Sequence, residues 1–383
     1  MIEQKKNIYI KKNLIKESKL NFFIFLYSFL LLLSLLLDRG ISDYGYLLPP
    51  IFASFSIFLY FSNKAIGELV VIFASFALVY IVAPTNLLFG ILISLNVFLV
   101  LRLIDIAKMP IPSRILYNYY IICIIYICLN IVLSFSSYFY EDTESHRFIG
   151  AFKSINSTQS IILLMLIFCL EYIKSQNISI TKRKTFIILF IFIYLYFLNI
   201  SKTRTNLFLI PYIIYNICLY FNKKHIFVIL ILFILYITLI NTLLIDKLFE
   251  TYRIGSDSSL ETRQNLYDAI FYKLKQNNYI LPLGFNKATE YTQAITENSN
   301  FSAHNDFLRY WLEWGGLFFI FILLLFLRLK SFFKKNINNI CILLFFISCG
   351  LHNILIAPHV LIPLFFILCL YNNKISKQEK NFQ

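Results

Sequence analysis

The chain of 383 residues is 59% hydrophobic and only 14% charged, far outside the composition of an ordinary soluble domain, which excludes a soluble enzyme or binding module. Its net charge of +15 raises nucleic acid as a partner, but the basic residues sit between apolar runs, and such a distribution is topological. No nucleic-acid partner is expected. The seven cysteines all fall inside apolar runs, which argues for packing roles over a disulfide framework or a thiolate metal site.

Apolar runs long enough to cross a bilayer, about 20 residues, recur along the chain. Each must be helical, because lipid offers no partner to an unpaired backbone group. A lysine-rich leader precedes the first, at 20–37, and with no small-residue cleavage site after it an uncleaved helix is expected. Further spans are expected at 46–62, 66–83, 86–104, 115–137, 157–173, 185–200, 206–221, 225–245, 308–328, 337–351 and 355–371. The predicted fold is all-α, a polytopic transmembrane helical bundle of about 12 spans, forming one integral membrane domain over 1–383. With both termini inside, the inner segments hold most of the lysines and arginines, including Lys64, Arg102, Lys108, Arg114 and Arg328, as the positive-inside rule requires.

Four outer segments follow from this topology: 138–156, the turn SKTRT at 201–205, the loop 246–307 between spans 9 and 10, and 352–359. Inside the long loop, SSLETRQNLYDAIFYKLKQ reads as an amphipathic helix. Ser258 and Glu261 have capping-box spacing. Leu260, Leu266, Tyr267, Ile270, Phe271 and Leu274 form one apolar stripe at helical period, with Arg263 inside it and Glu261, Asp268 and Lys275 on the other side. Such a helix should lie on the membrane or against the bundle. LPLGF then breaks it at Pro282 and Gly284.

The span cores carry almost no charged residues, which speaks against an ion-coupled transporter, and no Walker, HExxH or CxxC motif is present. The polar chemistry concentrates outside. Arg204 opens the eighth span, where a helix N-terminus attracts anions, and with Ser201, Thr203 and Thr205 it would suit a diphosphate. The plainer alternative is an arginine snorkelling to lipid headgroups. Arg263, on an apolar helix face, needs an anionic partner, either a substrate or a carboxylate such as Glu141, Asp142 or Glu250. Arg147 and Arg253 are secondary candidates for the same role.

SAHNDFLRYWLEWGG, at the mouth of the tenth span, holds His304, which can exchange a proton near neutral pH and activate a hydroxyl. It equally fits an interfacial histidine among belt tryptophans. In a helix starting near Ser302, His304 shares a face with Leu308, Trp311, Leu312 and Gly315. Asn305, Asp306 and Glu313 are secondary candidates, and Arg309 with Glu313 has the spacing of a helix-surface ion pair. Gly315 and Gly316 are expected to permit close helix approach.

In this order, RFIGAFKSINSTQS, SKTRTNLFLIP, SDSSLETRQNLYDAI with LPLGF, and SAHNDFLRYWLEWGG resemble motifs of the O-antigen ligase and O-antigen polymerase superfamily of bacterial inner-membrane glycosyltransferases. The likeness runs from about 147 to 328, with Ile155-Asn156-Ser157 where the family often has Asn-Pro-Asn. The resemblance implies transfer of a glycan from an undecaprenyl-diphosphate carrier to an acceptor hydroxyl on the periplasmic face, with no metal and no cofactor. By that likeness Arg204 and Arg263 hold the diphosphate, and His304 orients or deprotonates the acceptor. The acceptor is a growing glycan for an O-antigen or capsule repeat-unit polymerase, or lipid A–core for a ligase. Other polysaccharide-assembly membrane proteins are implied as partners, beside the membrane lipids. A lipid-linked glycan flippase is the alternative of a different class.

Overall fold

A computed structural model describes residues 66–84, 87–108, 111–140, 147–150, 155–176, 178–202, 213, 258–285, 287–296, 306–333 and 362–370. The expected spans at 20–37, 46–62, 225–245 and 337–351 lie outside these residues, as do nearly all of 206–221 and the start of 355–371. Among the described residues the structure is helical, and its one β feature is an isolated bridge between Tyr140 and Phe148. The chain divides into two compact units: 1–44, 107–201 and 363–383 in the first, 45–106 and 202–362 in the second.

Helices are observed at five of the expected spans, close to their sequence limits. They are α1 (Ile66–Val82), α2 (Leu87–Ala107), α3 (Ser113–Leu133), α4 (Ile155–Ser175) and α5 (Ile180–Ser201). Three helical stretches, Ser113–Leu133, Thr158–Ser175 and Ile180–Ser201, are long and apolar enough to cross a membrane, and Ile66–Val82 is a shorter apolar helix.

In the first unit α4 is the central helix. It is buried continuously from Thr158 to Tyr172, its apolar run Ile161–Leu170 covered on all sides, as a helix apolar all round should be. Tyr119 of α3 stacks on Phe366 at 3.8 Å and meets Phe168 of α4 edge-on at 4.8 Å, the T-shaped geometry that ring quadrupoles favour. Cys123, Cys169 and Cys369 are buried and free, consistent with packing roles. The segment after α3 folds back over the end of this bundle. Phe148 is fully buried, its N–H donates to Ile200 O at 3.0 Å, and Ile149 N–H donates to Phe139 O at 2.9 Å. Gly150 takes φ +58°, and a Cβ there would meet Thr158 Cγ2 at 2.4 Å. That explains the glycine in RFIGAFK: the left-handed backbone lies against α4 where no side chain fits.

The second unit contains α1, most of α2 and four later helices: α6 (Ser258–Gln276), α7 (Lys287–Thr296), α8 (Asp306–Trp314) and α9 (Leu317–Phe333). The tenth span was expected as one helix over 308–328; it is two, broken at Gly315–Gly316. At the other end of α9, Arg328 pairs with the carboxylates of Glu68 and Asp105 and donates to Leu101 O at 3.1 Å. Arg102 joins the group through Asp105 at 2.9 Å and through Glu68. This four-charge cluster fastens α9 to α1 and α2.

Candidate functional site

The amphipathic helix of the long loop forms as α6 over the expected residues, and its stripe packs on protein. Leu266, Ile270 and Leu274 are buried against Ala288 of α7 and Leu308 and Leu312 of α8, with Tyr267, Leu283, Tyr291 and Trp311 around them. Asp268 and Lys275 are exposed as expected. Phe271, placed in the stripe by sequence, is exposed, because it sits one position beyond the Leu266–Ile270–Leu274 line that α8 covers. Arg263 lies three residues before Leu266, in the register of that buried line; its side chain lies outside the described residues.

The proline–glycine turn after α6 caps α8. Leu283 N–H donates to Leu312 O at 3.0 Å and Gly284 N–H to Glu313 O at 3.2 Å, satisfying carbonyls that a helix end otherwise leaves open. Gly284 adopts φ +98° to make this turn. From the other side Gly316 N–H donates to Ile280 O at 2.8 Å. Gly315 has φ +57°, and a Cβ on it would stand 2.0 Å from Ile280 O. The two glycines were expected to let helices approach; what they admit is the backbone of residues 280–282.

The Arg309–Glu313 pair forms, with Nε to Oε1 at 3.2 Å. It was expected on the helix surface, whereas Arg309 is 6% and Glu313 0% exposed. The sequence shows the spacing but not that both faces of α8 are covered. Trp314 likewise is a core residue and not a belt residue, packed with Phe285 and Tyr310, each at 6.0 Å between ring centroids. Trp311 is half-buried and donates its indole N–H to Tyr279 O at 3.0 Å. Tyr291 hydroxyl donates to Ala269 O at 3.3 Å. Burial, then Tyr272, push its phenol pKa up, which keeps it a neutral donor.

The structure thus brings together the helix carrying Arg263 and the helix that opens at Asp306, two residues after His304. Arg204, Arg253, His304 and Asn305, and the side chain of Asp306, lie outside the described residues. Arg147 is half-buried in the other unit, beside Phe148, whose bond to Ile200 holds that segment at the end of α5. Sequence reasoning missed Glu68 and Asp105, because nothing in their local context points to Arg328, more than 220 residues away.

The comparisons with known proteins bear on the same region. Residues 187–323 match the family model described as O-antigen ligase, a stretch that includes Arg204, α6, the proline–glycine turn and α8. No curated protein and no solved structure matches the chain. Over residues 187–323 the chain is therefore similar to the O-antigen ligase family.

Proposed function

We propose that the chain is a multi-pass glycosyltransferase of the bacterial inner membrane, a single integral membrane domain over 1–383 with the loop 246–307 in the periplasm. The observation that carries this reading is the coincidence of the family match with the packed assembly of α6, the LPLGF turn and α8. That assembly holds the Arg263 helix against the helix of the histidine motif, the two elements a lipid-diphosphate donor and a hydroxyl acceptor would have to share.

The substrate is a glycan on undecaprenyl diphosphate. Its anomeric carbon is already activated, so the reaction requires neither nucleotide nor metal. Arg204 and Arg263 bind the diphosphate and stabilise the charge that develops on it as the glycosidic bond breaks. His304 orients the acceptor hydroxyl or takes its proton. Arg147, Arg253, Asn305 and Asp306 are secondary candidates, whereas Glu313, also read as one from the sequence, is fully buried on Arg309 and supports α8.

The acceptor in the first reading is another lipid-linked repeat unit, making the protein an O-antigen or capsule polymerase. The second reading, favoured by the description of the matched family, is a ligase that moves the finished glycan to lipid A–core. The glycan profile of a deletion strain separates them. Single repeats capped on lipid A–core indicate the polymerase, and long chains on the carrier with bare core indicate the ligase. Unchanged glycans overturn both.

A further inference from the structure

The turn between α6 and α7 sits unusually deep. The charge cluster of Glu68, Arg102, Asp105 and Arg328 marks one membrane boundary, since charged groups are costly further in. Gly316, bonded to Ile280 O, lies 12 residues along α9 from Arg328, about 18 Å at the helical rise, whereas the hydrocarbon core is about 30 Å thick. Two further helices also place it inside the hydrocarbon core, about 12 and 18 Å from the cluster at the helical rise. Phe285 stacks on Phe76 of α1 at 5.3 Å, eight residues from Glu68. It also fills the space beside Gly90 of α2, where a Cβ would meet its ring at 2.7 Å, 12 residues from Arg102.

Irregular backbone at such depth needs its polar groups satisfied within the protein, and every N–H from Tyr279 to Gly284 has a protein partner. Tyr279 N–H donates to Leu274 O at 2.8 Å, Ile280 N–H to Asn277 O at 3.3 Å and Leu281 N–H to Asn277 O at 3.2 Å. Pro282 has no N–H, and those of Leu283 and Gly284 go to α8. The carbonyls of Tyr279 and Ile280 accept from Trp311 and Gly316. Asn278 and Tyr279 adopt φ of 52° and 59°, conformations uncommon for residues with a Cβ, and they are held by this set of bonds. With its N–H groups so closed, the turn presents Tyr279, Ile280 and Leu281 outward at 42%, 68% and 51% exposure. That apolar tip continues through Trp311, which meets Phe319 edge-on at 5.1 Å, into the exposed side chains Phe319, Ile320 and Leu323 of α9.

We infer that residues 279–285 form a re-entrant turn of the long loop, with Phe285 anchored between α1 and α2 and the Tyr279–Leu281 tip embedded among the acyl chains of the bilayer. The occupant is lipid, because the tip lies at hydrocarbon depth, has no open N–H for water and is continuous with the apolar outer surface of a membrane helix. This goes beyond the glycosyl transfer proposed above and holds whichever acceptor the protein uses. It also means that the loop helix α6 is fixed at the membrane by its C-terminal end, while its apolar stripe faces α7 and α8.

The test places the photo-crosslinking residue benzoylphenylalanine singly at Tyr279, Ile280 or Leu281 of the full chain in phospholipid nanodiscs, with Leu323 as the lipid-facing control and Leu274 as the buried one. After irradiation, intact-mass measurement of the purified protein should show phospholipid adducts at the three tip positions as at Leu323, and none at Leu274. Three positions, the first an aromatic replaced by an aromatic, guard against a single variant that does not fold. Adducts at Leu323 without adducts at any tip position overturn the proposal, whether the tip reacts with nothing or with a second copy of the chain.

Discussion

Single residues decide whether the loop and the membrane helix can meet. Gly315 is the sharpest case, because a methyl group there faces two penalties at once. A left-handed backbone costs an L-residue about 1–2 kcal/mol, and the new Cβ would stand 2.0 Å from Ile280 O. At Gly316 the nearest atom to an added Cβ is Ile280 Cγ2 at 3.4 Å, an ordinary contact. Gly315→Ala is therefore expected to lower the thermal unfolding midpoint in detergent well below that of Gly316→Ala; equal midpoints would contradict the turn as described. Arg309 and Glu313 make a second residue-scale case. Removing one partner of a buried ion pair costs about 3–5 kcal/mol, whereas replacing both by apolar groups of similar size is often neutral. Arg309→Ala and Glu313→Ala should each destabilise strongly, and the double variant Arg309→Met, Glu313→Leu should recover most of the loss in the same unfolding assay.

The unit that matters among the elements is α6 on α8. Their contact rests on Leu266, Ile270, Leu308 and Leu312, and truncating a buried leucine costs about 2–5 kcal/mol. Leu266→Ala and Leu312→Ala should each reduce glycan transfer in cells without touching any proposed substrate contact, and tryptic cleavage within 258–276 should accelerate. Unaltered cleavage in both variants would mean that α6 is held by something else. At this scale much was legible. The repeat of apolar residues at helical spacing located α6 to the residue, and hydropathy located five helices, three of them long and apolar enough to cross a membrane, to within a few residues, since both patterns are local. The break in the tenth span was not legible, because hydropathy runs on through Gly315 and Gly316. What ends α8 there is a backbone bond from Ile280, a partner 36 positions away. Trp314 was misread for the same reason: the ring that buries it, Phe285, arrives on the loop.

For the whole molecule, the sequence conveyed the class of the protein, and the family match over 187–323 agrees with the motifs read there. The charge cluster that ties α9 to α1 and α2 was invisible to sequence, since Glu68 and Arg328 are 260 positions apart. We propose that Arg204, Arg263 and His304 carry glycosyl transfer from a lipid-diphosphate donor. The most direct measurement is surface glycan in cells whose only copy of the protein is Arg204→Ala, Arg263→Ala or His304→Ala, with membrane levels of each variant quantified alongside. Each variant is expected to accumulate like the wild type while glycan elongation or attachment is lost. Full glycan from the His304→Ala variant would contradict it.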